Sequence, residues 1–172
     1  MNFKVTTDKI DQVPSETAAL FFHIDERPLT GSSGLVDWRL CGQISRLLIS
    51  GMIAGDTGEQ VLLASQGRIG AEKIMLFGLG STQTFSFERY GRTMSLAAKA
   101  LRKMRADSVV LSLPDIQASS MDQPMAIRRL ADELYAWYRD DAALLGSLSM
   151  TIVVPLRQLR ETSEIIDRLP KR

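Results

Sequence analysis

The sequence predicts an α/β fold, a mixed sheet with helices on both faces. Short apolar runs alternate with stretches of helical period, in the order β-β-α-β-β-α-β-α-β-α. The central runs, ALFF, IMLF and SVVLSL, lack the polar alternation of a half-exposed strand, as expected when both faces are covered. Glycine or proline closes three of the strands, at Gly78-Leu79-Gly80, Pro114 and Pro155.

In chain order, Phe3 to Thr7 alternates weakly and reads as an edge strand, and Thr17 to Ile24 as a buried one. Leu29 to Gly34, LTGSSG, is a turn-rich loop. One helix is expected next, with Leu40, Ile44, Leu47, Leu48 and Gly51 on one face and Ser33 or Asp37 as N-cap. Gln60 to Ser65 and Lys73 to Phe77 are β runs joined through Gly67 to Gly70, which suggests a hairpin-like connection. A long helix spans about 86 to 105, with Phe87, Tyr90, Met94, Ala97, Leu101 and Met104 inward. Ser108 to Leu113 is a strand, and 116 to 123 is a polar loop. Pro124 suits a first helical turn, and Ile127, Leu130, Leu134, Trp137 and Tyr138 follow on one side of that helix. Ser149 to Val154 is the last strand. Leu156 to Leu169 is a charged amphipathic helix, and 170 to 172 is a tail.

A chain of 172 residues is expected to form a single domain, residues 1–172, with no internal repeat or linker. Lys+Arg number 21 and Asp+Glu 20, so no broad field draws the chain to nucleic acid. The basic cluster Arg102, Lys103 and Arg105 and the pair Arg128-Arg129 read as solvated helix faces, and DNA is not the expected partner. One cysteine excludes an internal disulfide and a multi-cysteine zinc site, and one histidine excludes HExxH. No secretory h-region follows Met1 and no apolar run reaches membrane-spanning length. The expectation is a cytoplasmic protein with reduced thiols and no membrane partner.

Asp37 to Ile49, DWRLCGQISRLLI, running on to Gly51 and Gly58-Glu59, resembles a segment of the amino-terminal domain of leucyl aminopeptidases, the M17 metallopeptidase family. Lys73 to Gly80, KIMLFGLG, is similar to the family's strand-then-GLG element, and Leu130 to Asp140 to its penultimate helix. The resemblance runs from about Thr17 to about Pro155. It implies a three-layer α/β/α sandwich with a mixed central sheet, macro-domain-like. In those peptidases the domain packs against a catalytic domain and helps to build a hexamer. The catalytic domain's NTDAEGR-type motif and its glycine-rich metal-binding segment do not occur in this sequence. No catalytic or metal residue is therefore carried over, and no cofactor is expected. What the resemblance implies is a non-catalytic, stand-alone domain, acting as an assembly, interaction or regulatory module. A homo-oligomer or a protein partner, a full-length leucyl aminopeptidase among them, fits that reading.

Two loops are candidates for a ligand. Gly78-Leu79-Gly80-Ser81-Thr82 follows a strand and precedes a helix, where α/β folds bind ligands. Glycines admit phosphates to the backbone, and Ser81 and Thr82 add hydroxyls. Thr30-Gly31-Ser32-Ser33-Gly34 also leads from a strand into a helix. If the two flank one crevice, Gly31, Ser32, Ser33, Gly78, Gly80, Ser81 and Thr82 form an anion site, and a nucleotide or ADP-ribose is the ligand suggested by analogy with macro domains. The plainer reading is a structural turn for the first and a flexible connection for the second. His23 is a candidate base, but with no placed nucleophile an ordinary strand-end histidine is the simpler account. Cys41 is expected buried or half-buried, and Trp38 and Trp137 in the core.

Overall fold

The computed structural model describes residues 1–114 and 122–169. Six strands form one sheet: β1 (Asn2–Thr6), β2 (Ser15–Phe22), β3 (Gln60–Ala64), β4 (Ala71–Gly78), β5 (Ser108–Ser112) and β6 (Ser149–Val153). Their order is β1-β6-β5-β2-β4-β3, and every neighbouring pair is parallel except β3–β4. The sheet is thus mixed, and β3–β4 is the expected hairpin.

Strand β2 lies between β4 and β5, and its side chains divide the core. Ala18, Leu20 and Phe22 face one layer with Ile74, Leu76 and Val110. Ala19 and Phe21 face the other with Phe77, Val109 and Leu111. Phe21 is register partner of Phe77, and their rings stack with centroids 5.6 Å apart. Two helices cover the first face, α1 (Gly31–Arg39) and α2 (Gln43–Ile49), through Val36, Leu40 and Ile44. The second is covered by α3 (Phe87–Met104) and α4 (Gln123–Tyr138), through Tyr90, Met94, Leu101, Ile127, Leu130 and Leu134. A short α5 (Ala142–Ser147) and α6 (Leu159–Asp167) pack on that side as well. This is a three-layer α/β/α sandwich, as expected.

Caps mark the ends. Ser86 Oγ accepts from Arg89 N at the start of α3, and Asp122 from Met125 N at the start of α4, where Pro124 stands in the first turn. Tyr90, fully buried on α3, donates its hydroxyl to the Ala126 carbonyl of α4 at 2.8 Å and pins the two helices.

The single helix expected across 37 to 51 is two. Cys41 (φ 55) and Gly42 (φ 76) are left-handed, so the chain breaks after Leu40 and restarts. Asp37 is not the N-cap of the first helix but a remote cap of the second. Its Oδ1 accepts from Ile44 N at 2.7 Å and Ser45 N at 3.1 Å, and its Oδ2 from Ser45 Oγ. Ser33 is no cap either, since its hydroxyl donates to the Phe21 carbonyl. The break also turns Cys41 outward, where Arg68 Nη1 donates to its sulfur at 2.8 Å. Trp38 is 68% exposed, not core, with the Arg39 guanidinium over its ring. Phe87, expected inward, is exposed under Arg129, and Trp137 is half-buried with its indole N–H on Ser95 Oγ. Helix α5 had no separate signal. The last helix starts at Leu159, after a 3-10 turn over Leu156–Gln158. Most of the polar loop expected at 116–123, and the tail at 170–172, lie outside the described residues.

Replacing Asp37 by Ala strands the first amides of α2 beside the core. A loss of about 1–3 kcal/mol is expected in chemical denaturation. Asp37→Asn, which keeps an acceptor at Oδ1, should lose less than half of that.

Candidate functional site

The parallel strands β2, β5 and β6 deliver their carboxyl ends to one rim of the sheet, together with β4. The element after β2 crosses to one face and the helix after β5 to the other. Such a change of direction opens a crevice between neighbouring strand ends. A cavity of about 530 Å³ occupies that position. One wall is Thr30 to Ser33, at the start of α1; the opposite wall is Ser112 to Pro114 and Val153 to Pro155; Phe21, His23, Leu79 and Phe85 line it further. Polar groups enter from Glu26, Thr82, Gln123, Arg157 and Gln158.

The two loops singled out in the sequence do meet at this crevice, but unequally. Gly31, Ser32 and Ser33 line it, and of the second loop Leu79 and Thr82 do. Gly78, Gly80 and Ser81 face other partners. A Cβ on Gly78 would strike the Asp56 carbonyl, and one on Gly80 (φ +76) would strike Thr57 Oγ1. Both glycines admit the 55–59 turn, which is itself held by Glu59: its carboxylate accepts from Ala54 N and Gly55 N. Ser81 and Thr82 are bound by Asp25. Its carboxylate accepts from Ser81 Oγ at 2.9 Å, Thr82 Oγ1 at 2.8 Å and Thr82 N at 3.0 Å. These bonds, the Thr82 amide first, hold the Asp25 carboxyl at about 2, below the ordinary 3.8.

At the other wall, α1 begins with Thr30 as N-cap, yet no side chain caps it and no acid lies in its first turn. The first amides of a helix have no intrahelical partner, and a helix start on a cavity wall is an arrangement that favours an anion. Glu26 tempers this. Its carboxylate accepts from Thr30 N at 2.9 Å, Thr30 Oγ1 at 2.6 Å and His23 N at 3.2 Å. It braces the approach to the helix, where Gly31 is exposed, Ser32 half-buried and Ser33 buried. His23 is buried, with Nδ1 3.0 Å from the Gly80 carbonyl and its ring edge-on to Phe85. A carbonyl only accepts, so Nδ1 carries the proton. No hydroxyl or thiol is placed against His23 by these bonds, and it joins β2 to the Gly80 turn.

Residues 19–142 match the N-terminal domain of the cytosol aminopeptidase family. The chain belongs to that family. The probable cytosol aminopeptidase of Pseudomonas syringae pv. tomato is 30% identical over 129 residues, 72% of this chain and 26% of the relative. The chain spans about a quarter of the length of the curated relatives it matches. Among solved structures, a tomato leucine aminopeptidase mutant (K354E) superposes with TM-score 0.64 at 18% identity, over 97% of this chain and 36% of that one. The Trypanosoma brucei macrodomain in complex with ADP-ribose superposes with TM-score 0.72 at 11% identity, over 98% of this chain and 69% of that one. At these identities the structural likeness is one of fold, and the fold is macrodomain-like.

Several crevice residues had no motif to announce them. Pro114 and Pro155 stood out only as strand terminators, although the same position makes them rim residues. Arg157, Gln123 and Gln158 carry no local signal, because the topology alone brings their segments together. Among the described residues no helix is long and apolar enough to cross a membrane.

Two measurements check the loop. The carboxyl carbon shift of Asp25 should titrate with a midpoint near 2. Its folded pKa lies below the unfolded 3.8, so the clamp's contribution is complete above that value and is lost as pH falls through about 2. A midpoint near 3.8 would contradict the clamp. Gly80→Ala combines a left-handed φ with a clash on Thr57, and a loss of about 1–3 kcal/mol is expected in thermal unfolding.

Proposed function

We propose that this domain is a non-catalytic binding module, and that its crevice takes a nucleoside diphosphate of the ADP-ribose class. The observation that carries the reading is the uncapped start of α1 opening into a cavity of about 530 Å³ at the strand ends. Ligand pockets commonly measure about 300–1,000 Å³ and combine apolar walls with a few polar groups. Phe85, Leu113 and Pro155 offer surface for a base and sugar, while the amides of Gly31 to Ser33 and the Arg157 guanidinium suit a diphosphate. Gly31, Ser32, Ser33 and Thr82 then contact the ligand, and Gly78, Gly80 and Ser81 shape the loop behind it. A macrodomain of the same fold holds ADP-ribose, which supports this ligand class. The absence of catalysis is supported by the match to the family's N-terminal domain, in a sequence that lacks the peptidase motifs.

A second reading, an assembly module, has its own observation. Trp38, Ile49 and Met52 are 68%, 86% and 74% exposed, all in the α1–α2 layer or just after it. Large apolar side chains left in water suit a protein partner, either another copy or a full-length aminopeptidase.

Calorimetric titration separates the two. The reading predicts saturable ADP-ribose binding with Kd below about 1 mM. Ser32→Glu should weaken it at least about tenfold without lowering the melting temperature, because an acid in the first turn of α1 suits the helix dipole but repels phosphate. No heat at millimolar ligand, or equal binding by the variant, removes the ligand reading. Chelator-sensitive release of leucine from a leucyl peptide would remove the non-catalytic one.

A further inference from the structure

Among the described residues no strand pairs beyond β1 or β3, and these two edges differ in how they meet water. Strand β1 carries an exposed Lys4, and α6 packs beside it. A charged side chain on an edge strand is a common guard against further pairing. Strand β3, at the other edge, reads Gln60-Val61-Leu62-Leu63-Ala64, with no charge and no proline. Val61 and Leu63 tuck against the α1–α2 core, while Gln60, Leu62 and Ala64 are exposed, Leu62 to 55%.

The ladder with β4 shows which backbone groups are free. Gly78 N donates to the Glu59 carbonyl, and Ser65 N to the Glu72 carbonyl. These bonds fix the hydrogen-bonded pairs of the hairpin, and antiparallel pairs alternate. Val61 and Leu63 therefore bond to β4, and the N–H and C=O groups of Gln60, Leu62 and Ala64 point outward.

An outward row of this kind is self-complementary about its middle residue. We propose that β3 pairs antiparallel with β3 of a second copy of this chain, centred on Leu62. In that register Leu62 faces Leu62, and Gln60 faces Ala64 on either side. Each of these pairs is of the type that exchanges two N–H···O bonds, so every outward group is used. The two exposed Leu62 side chains fall on the same face of the joined sheet and cover each other. Within the strand the register opposes no two like charges, since Gln60–Ala64 carries none. The operator is a two-fold axis, so the contact closes on itself and leaves the guarded β1 edges at the ends. This gives the assembly reading a surface and a partner; it is independent of the crevice.

The test is the solution mass of the 172-residue chain by light scattering over a concentration series. A dimer is expected. Leu62→Lys places two ammonium groups face to face and should weaken the dimer at least about tenfold, with the monomer's melting curve kept, because the position is exposed. A second arm reads the register. In a Cys41→Ser background, Leu62→Cys should cross-link to its own mate under mild oxidation, since Cα atoms of such a pair lie about 5.5 Å apart. Gln60→Cys should not. A monomer at all concentrations, a dimer indifferent to Leu62→Lys, or equal cross-linking at 60 and 62 overturns the proposal. If the dimer survives Leu62→Lys but is lost in Trp38→Ala, the assembly reading stands and the β3 contact does not.

Discussion

Strand β2 meets water on neither face, and its backbone is paired along both edges. From Thr17 to Phe22 every side chain is buried, with Ala18, Leu20 and Phe22 on one face and Ala19 and Phe21 on the other. A strand in that position must have a sheet on either side and a helical layer above and below, or its polar backbone and apolar side chains are left unsatisfied. Parallel pairing with β4 and β5 meets the first need and α1–α2 with α3–α4 the second. The crevice is a by-product of the same constraint. Parallel neighbours end on one side of the sheet, and chains leaving β2 and β5 for opposite faces cannot fill the gap between them.

The loops around the gap divide their work. The Gly78–Thr82 turn is held from behind by Asp25, Thr57 and His23, and it acts chiefly as a buttress. The start of α1 carries no side-chain cap. A rigid loop facing an uncapped helix start is a pre-organised arrangement, in which little ordering remains to oppose ligand binding.

Much of the sheet was legible in the sequence because its signals are local and strong. Apolar runs such as IMLF can be little else between glycines, and the long 3.6-period stretch containing Tyr90, Met94 and Leu101 had room only for a helix. Less legible were features set by single backbone angles. Nothing in LCGQ requires Cys41 to turn left-handed with Gly42, yet that turn splits one helix into two, exposes Trp38 and converts Asp37 into a remote cap. The site was legible by half. The pairing of the Gly31 and Gly78 loops follows from strand order, which element alternation suggests. The opposite wall, from Ser112 to Pro114 and Val153 to Arg157, depends on which strands sit side by side, and no local pattern states that. The glycines of GLG suggest room for a phosphate, but that room is taken by the 55–59 turn.

The proposed ligand site joins the start of α1 to the facing strand ends. An amide-resolved NMR titration with ADP-ribose tests it most directly, because it locates binding as well as detecting it. Saturable shifts are expected at Gly31, Ser32, Ser33 and Thr82, with the β3 amides unmoved. Shifts confined to residues away from the crevice, or none at millimolar ligand, would contradict it.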